Sequence, residues 1–219
     1  MGKEIDLMVD YPKTKRDLSK RAAEKTEEDR RIARQFGKGF FDGERRHGYG
    51  GFYYNPRYWQ PVVPTFQEYY GLSKDSSILD IGCGKGFMLH DFGELIPGIK
   101  VEGIDISTYA IENAIEDMKP FVKVGNAKKM EYPDKSFDLV ISINTVHNLP
   151  LDECKVALRE IQRVTKEHAF ITVDAYRNEE EKKSMREWNL TALTFMHVNE
   201  WVKVFEEVGY DGDYYWFIP

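Results

Sequence analysis

Cysteine is scarce in this chain: only Cys83 and Cys154 occur among 219 residues. Two thiols build neither a disulfide framework nor a Cys-rich zinc pattern, and they suit a reducing compartment. Long apolar runs are missing as well. The longest uncharged stretches, such as residues 139–143, fall far short of the roughly 20 residues that cross a bilayer, which excludes a transmembrane reading. The opening residues MGKEIDLMVDYPKTKRD contain acids and no apolar run, unlike a secretory signal or a transit peptide. A cytoplasmic location is the expectation. Four histidines, His47, His90, His168 and His197, show no metal-binding spacing, and no metal is expected. The net charge of −6 gives no overall basic footprint for a phosphate backbone, so nucleic acid is not the expected partner.

What is present is ordinary globular composition, 42% hydrophobic and 31% charged. The length suits one α/β domain plus an appendage, and residues 1–60 and 61–219 are the expected division. Residues 14–36 are rich in helix formers and mix both charge signs at three- and four-residue spacings, which predicts a charged helix. Residues 13–47 hold 12 Lys/Arg against 7 Asp/Glu, so the basic excess sits entirely in the appendage. The texture then changes. Six of the 17 glycines fall between Gly37 and Gly51, and 12 aromatic residues fall between Phe36 and Tyr70. Such a segment bends easily and presents flat side chains, as a lid or as an aromatic brace packing the helix onto the core.

Beyond Lys74, β-branched runs alternate with helical patterns. Strands are expected at 77–81, 100–104, 121–124, 137–143, 168–173 and 213–218, and helices at 87–95, 108–118, 151–164 and 198–208. Repeated βα units imply a doubly wound, mostly parallel α/β sheet with helices on both faces.

The sharpest signal is Ile78-Leu79-Asp80-Ile81-Gly82-Cys83-Gly84-Lys85-Gly86, a strand running into a glycine loop and then a helix. Glycines let the backbone turn tightly and approach a ligand, and the helix start offers unpaired N–H groups. A nicotinamide fingerprint needs a third glycine at position 87, which is Phe here. An acid at Asp80 is badly placed beside a pyrophosphate and well placed beside an ammonium group. Nineteen residues past Gly86 stands Asp105, where doubly wound folds put a carboxylate on ribose hydroxyls. Taken alone, Asp105 also reads as a cap for the helix that follows.

These segments, with GIDIS at 103–107 and FDLVISINTVHNL at 137–149, resemble the Rossmann-like methyltransferases that use S-adenosylmethionine, in the small-molecule branch related to quinone-biosynthesis C-methyltransferases. The resemblance covers about residues 74–175. It implies that Asp80, Gly82, Gly84 and Gly86 hold the methionine end of the cofactor, that Asp105 bridges the ribose hydroxyls and that Ile106 packs on adenine. Asn126 and Ala127 stand where the family often has Asp-Ala facing the adenine amino group, and Asn keeps a carbonyl acceptor there. It also sets the loop carrying Asn144 beside the reactive sulfonium.

For the chemistry itself, His147 is a candidate base or a packing residue, with Tyr49, Tyr53 and Tyr54 as candidate acceptor contacts. Asp174, Tyr176 and Arg177 form a second cluster, in which Asp174 reads equally as a helix cap. Arg45, Arg46 and Arg57 could bind an anionic group on the acceptor. No N-P-P-[FY] tetrad and no paired glutamates of the protein arginine methyltransferases are present, which favours a small polar acceptor. A cofactor-binding module without catalysis, and an RNA or protein methyltransferase guided by the basic helix, are the alternatives.

Overall fold

The computed structural model describes residues 2–13 and 25–219. Seven strands form one sheet: β1 (Ser77–Ile81), β2 (Lys100–Asp105), β3 (Val122–Val124), β4 (Phe137–Ile143), β5 (Thr165–Tyr176), β6 (Met196–His197) and β7 (Asp213–Phe217). Their order is β3-β2-β1-β4-β5, with β7 beside Phe170 to Asp174 of β5 and the short β6 beside Ala175 and Tyr176. Every pairing between these strands is parallel. A parallel sheet needs crossovers, and helices α4 (Phe87–Leu95), α5 (Thr108–Glu112), α6 (Leu151–Val164) and α8 (Val198–Val208) supply them.

Alternation along each central strand feeds two cores, one on each face. Leu79, Val140, Ile171 and Val173 pack with Leu158 and Ile161 of α6 and with Trp201 and Phe205 of α8. Ile78, Leu139, Ile141 and Phe170 point the other way, onto Leu89 and Phe92 of α4 and Phe66 of α3 (Val63–Tyr70). Because both faces are covered, the strands read as nearly continuous apolar runs. Phe66 meets Phe92 and Phe170 edge-on, with ring centroids 6.1 and 5.1 Å apart.

Several boundaries differ from the sequence-based expectation. The strand expected at 168–173 spans Thr165–Tyr176, because Asp174 to Tyr176 continue past the core to pair with β7 and β6. The helix expected at 108–118 stops at Glu112, and the N–H of Ile115 donates to the Lys85 carbonyl at 3.0 Å instead of continuing the helix. Helix α3 stands where no helix was expected, and the helix expected to open at the acidic run 179–181 is α7 (Glu179–Trp188). The cap of α7 is Asn178, whose side chain accepts from the Glu181 N–H, so Asp174 is not that cap. Of the charged helix expected at 14–36, residues 14–24 lie outside the described residues. The remainder holds α1 (Glu27–Ala33), capped reciprocally by Thr26 and Asp29. A four-residue helix, α2 (Lys38–Phe41), follows.

The first residues are tied into the fold. Ile5 donates to the Tyr214 carbonyl at 2.9 Å and Tyr214 donates to the Lys3 carbonyl at 3.0 Å, which covers the outer edge of β7. Phe66→Ala should cost about 3–5 kcal/mol, because it empties the junction of α3, α4 and β5; denaturant unfolding measures this.

Candidate functional site

At the carboxyl ends of β1, β2, β4 and β5 lies a cavity of about 1630 Å³. Open α/β sheets bind ligands at this edge. Its floor is the glycine loop. Gly82, Gly84 and Gly86 have φ of 85°, 55° and 79°, values that residues with a Cβ adopt at a cost. At Gly82 there is also no room: an added Cβ would stand 2.1 Å from the hydroxyl oxygen of Thr145, which follows β4. The loops after β1 and β4 are thereby pressed together.

Asp80 ends up buried on the cavity wall, and no hydrogen bond reaches its carboxylate from the described residues. Burial, with the charge of Asp105 adding to it, pushes its pKa from 3.8 up to about 8. Asp105 is stitched in: its carboxylate accepts from the Gly84 N–H at 2.9 Å and the Ser107 N–H at 2.8 Å. Desolvation raises the Asp105 pKa, and those two N–H groups oppose the rise. Helix α5 is capped by Ser107, whose hydroxyl accepts from Ala110, so Asp105 is not its cap. Ile106 is 57% exposed on the cavity border, an apolar side chain with no protein to cover it. Asn126 and Ala127 border the same space, with Asn126 Oδ1 accepting from the Lys128 N–H at 2.9 Å. Asn144, at φ 51°, exchanges hydrogen bonds with the Thr172 hydroxyl and also lines the cavity.

The segment after α1 closes over this floor. Lys85, an unassigned position in the sequence motif, is its anchor. Its buried Nζ donates to both carboxylate oxygens of Asp42 at 2.8 and 3.0 Å and to the Phe52 carbonyl at 2.7 Å. Asp42 also accepts from the Phe52 N–H and the Tyr109 hydroxyl. Burial raises the Asp42 pKa, but these donors, Lys85 first, outweigh it and hold the carboxyl below its usual value. Phe52 lies against Gly84 and stacks on Tyr49, with centroids 4.2 Å apart. Farther out, His47 Nε2 stands 3.0 Å from buried Asp29, which pins the glycine-rich stretch to α1.

The candidate acceptor contacts separate. Tyr49 and Tyr53 line the cavity. Tyr49 is 44% exposed, toward the cavity interior; the surrounding protein desolvates its hydroxyl and pushes the pKa up to about 12. Tyr54 points elsewhere, donating to buried Asp91 at 2.6 Å. Tyr176 packs on Phe195 and His197, and Arg177 pairs with Glu4, so neither borders the cavity. Arg45 donates to the carbonyls of Gly48 and Tyr49, and Arg46 faces Asp29 and Glu44. Arg57 lies over the Tyr58 ring and, like Arg34 and Arg45, lines the cavity without a carboxylate partner among the described residues.

His147 is buried with Asp174, and both line the cavity. Its Nδ1 accepts from the Asp174 N–H at 2.9 Å, which puts the proton of the neutral ring on Nε2, 3.7 Å from Asp174 Oδ1. Burial lowers the His147 pKa against the pull of Asp174. A ring whose lone pair is engaged by a backbone N–H is a donor at its other nitrogen, not a ready base. The sequence motif placed His147 here but carried no signal for this hydrogen bond. Among the described residues no group of three His, Cys, Asp or Glu side chains is placed to hold a metal ion.

Residues 72–209 match the family model described as a methyltransferase domain. The chain belongs to this family. An uncharacterised protein of Haemophilus influenzae is 26% identical over 64% of this chain and 60% of its own length. The 2-methyl-6-phytyl-1,4-hydroquinone methyltransferase of Synechocystis is 28% identical, over 51% of this chain and 36% of its own. The chain thus spans less than two thirds of the length of either relative. A Haemonchus contortus phosphoethanolamine N-methyltransferase, solved with phosphomonomethylethanolamine and S-adenosylhomocysteine, shares the fold: TM-score 0.57, 18% identity, 81% of this chain and 44% of that one. The mostly parallel sheet with helices on both faces is that of the Rossmann-like methyltransferases.

Two outcomes test this geometry. An acid whose pKa is raised in the folded state makes the fold less stable as pH rises from its unfolded value through about 8. Asp80→Asn should therefore raise the melting temperature of the ligand-free protein by a few degrees at pH 9 and leave it unchanged at pH 3. Lys85→Met removes every donor that anchors Asp42 from the loop, and limited trypsin digestion should then cut at Arg45 or Arg46 at least about tenfold faster than in the wild type.

Proposed function

We propose that this chain transfers a methyl group from S-adenosylmethionine to a small polar acceptor. The observation that carries the reading is Asp80, a buried carboxylate with no hydrogen-bond partner among the described residues, set on the cavity wall beside a glycine loop that a Cβ would fill. A lone buried acid is costly unless a cation compensates it. The methionine end of S-adenosylmethionine carries an ammonium group, and the cofactor, when bound, supplies an electrophilic methyl on a positively charged sulfur. Family membership and the hydroquinone methyltransferase relative support the same chemistry.

In this reading Asp80 binds the ammonium group, and the positive-φ turn at Gly82, Gly84 and Gly86 lets the backbone approach the cofactor. Asp105 accepts from the ribose hydroxyls, and Ile106, Asn126 and Ala127 border the adenine. Asn144, held by Thr172, shapes the loop at the reacting end. Tyr49 and Phe52 exclude water above the glycine loop, and Lys85 with Asp42 keeps them there. Tyr53 and His147 lie where an acceptor would enter, with His147 offering the Nε2 proton as a positioning donor. Catalysis then rests chiefly on alignment of acceptor and methyl in a water-poor space.

The alternatives gain no specific observation. Arg30, Arg31 and Arg46, in the described part of the basic segment, each face a carboxylate, which gives no support to a nucleic-acid surface. No helix among the described residues is long and apolar enough to cross a membrane.

Calorimetry tests the reading. S-adenosylhomocysteine should bind with release of a proton at pH 7, as its ammonium lowers the Asp80 pKa, and the affinity should rise as pH increases toward 8. Asp80→Asn should lose both the proton release and at least about tenfold in affinity, Asp105→Ala should weaken binding by at least about 1 kcal/mol, and NAD should not bind. Absence of saturable S-adenosylhomocysteine binding overturns the proposal.

A further inference from the structure

The cofactor reading leaves one buried acid of the cavity unused. Asp174 lies near the end of β5, is 5% exposed and borders the cavity. No hydrogen bond reaches its side-chain oxygens from the described residues, and the nearest donor, His147 Nε2, stands at 3.7 Å, beyond hydrogen-bond range. The side-chain oxygens of Asn148 and Asn189 are buried without partners, while their amide nitrogens are spent on the carbonyls of Asn144 and Ala192. Both residues border the same cavity.

Of the lysines and arginines on the cavity border, Arg34 and Arg57 have no acidic partner among the described residues, and the others are engaged elsewhere. Lys128 pairs with Glu153 at 2.6 Å, Lys13 lies 3.6 Å from Asp6, and Arg45 donates to lid carbonyls. The other boundary of the site is aromatic. The parallel ladder sets Phe217 of β7 directly beside Asp174, and the Phe217 ring packs on Trp188 with centroids 5.3 Å apart. A nearly buried carboxylate beside aromatic rings selects a ligand that brings both donors and positive charge. A carboxylate or phosphate beside Asp174 would be repelled. An alcohol or thiol offers one hydrogen and no charge. An amine offers up to three donors and, when protonated, the compensating charge.

We propose that Asp174 receives the nitrogen of the methyl acceptor, and that this chain is an N-methyltransferase of small amines whose nitrogen substituents lie against Phe217 and Trp188. The inference rests on the methyl-transfer reading above. The bound ammonium first loses one proton to solvent water, and the neutral amine then donates one N–H to the Asp174 carboxylate and directs its lone pair at the methyl carbon. The N–C bond forms as the C–S bond breaks, the sulfur keeps that electron pair, and the positive charge moves from sulfur to nitrogen. One proton then passes from the new ammonium to an Asp174 oxygen, leaving a neutral methylated amine. The side chain is a suitable proton store, because burial raises its pKa against the pull of His147.

The test compares amines with alcohols of the same skeleton: benzylamine against benzyl alcohol, and ethanolamine against ethylene glycol. Each is titrated calorimetrically into the full chain, with and without S-adenosylhomocysteine. The amines should bind at least about tenfold tighter than the alcohols, and Asp174→Asn should erase that preference while changing S-adenosylhomocysteine affinity less than twofold. With methyl-labelled S-adenosylmethionine and the two amines, the label should appear on nitrogen. Amines that bind no tighter than their alcohols, or an Asp174→Asn protein that keeps the preference, overturn the proposal. The wild-type comparison decides even if the variant fails to fold. Loss of S-adenosylhomocysteine binding would instead strike the methyl-transfer reading, since the amine preference is measured without it.

Discussion

The glycine turn after β1 is the constraint on which the rest of the molecule depends. Three parts of the chain meet there only because this loop has no side chains in their way. Thr145 occupies the space in which a Cβ of Gly82 would stand, Phe52 lies on Gly84, and Asp105 accepts the Gly84 N–H. The same backbone shape therefore aligns the ends of β1, β2 and β4 and seats the lid. Lys85 works from within the turn. Its ammonium is spent on Asp42 and the Phe52 carbonyl, so the one cation of the loop belongs to the lid and not to the cavity.

That arrangement gives the cavity its electrostatic character. Asp80, Asp105 and Asp174 are all buried on its wall, and burial raises the pKa of each. Only Asp105 has its charge answered within the protein, by two backbone N–H groups. Leaving acids uncompensated lowers the stability of the empty fold, and such strain concentrates where ligands restore the balance. Cationic ligands fit this pattern at two places: the glycine loop, and the end of β5 where rings replace polar neighbours. Between them stands His147, held neutral by burial and by the Asp174 N–H, so it adds no positive charge that would satisfy Asp174 internally.

Residues 37–53, over the glycine loop, hold the short helix α2 and are folded back by the N–H groups of Tyr49 and Gly51, which donate to the carbonyls of Phe40 and Phe41. They are held by a chain of ring contacts from Phe40 through Phe41, Tyr49 and Phe52 to Phe87, by the Lys85–Asp42 ion pair and by the contact of His47 with Asp29.

Sequence alone determined the central architecture and the glycine turn at the floor of the cavity. The reasons are local: buried parallel strands require continuous apolar runs such as FDLVISI, and a tight turn against a ligand requires Gly82, Gly84 and Gly86 at fixed spacing. Helices α3 and α7 were less legible, because aromatic and strongly charged stretches carry weak periodicity and their caps are not read until the flanking loops are placed. What only the tertiary structure decided is the acceptor side. Tyr53 and Tyr54 are adjacent in the chain, yet one faces the cavity and the other is captured by Asp91, 37 residues away. Lys85 carried no assignment, His147 read as a base or a packing residue, and Asp174 read equally as a cap or a substrate contact. Their roles depend on partners 43, 27 and 27 residues distant, which no local pattern encodes, because side-chain hydrogen bonding is settled by which segments the folded core brings together.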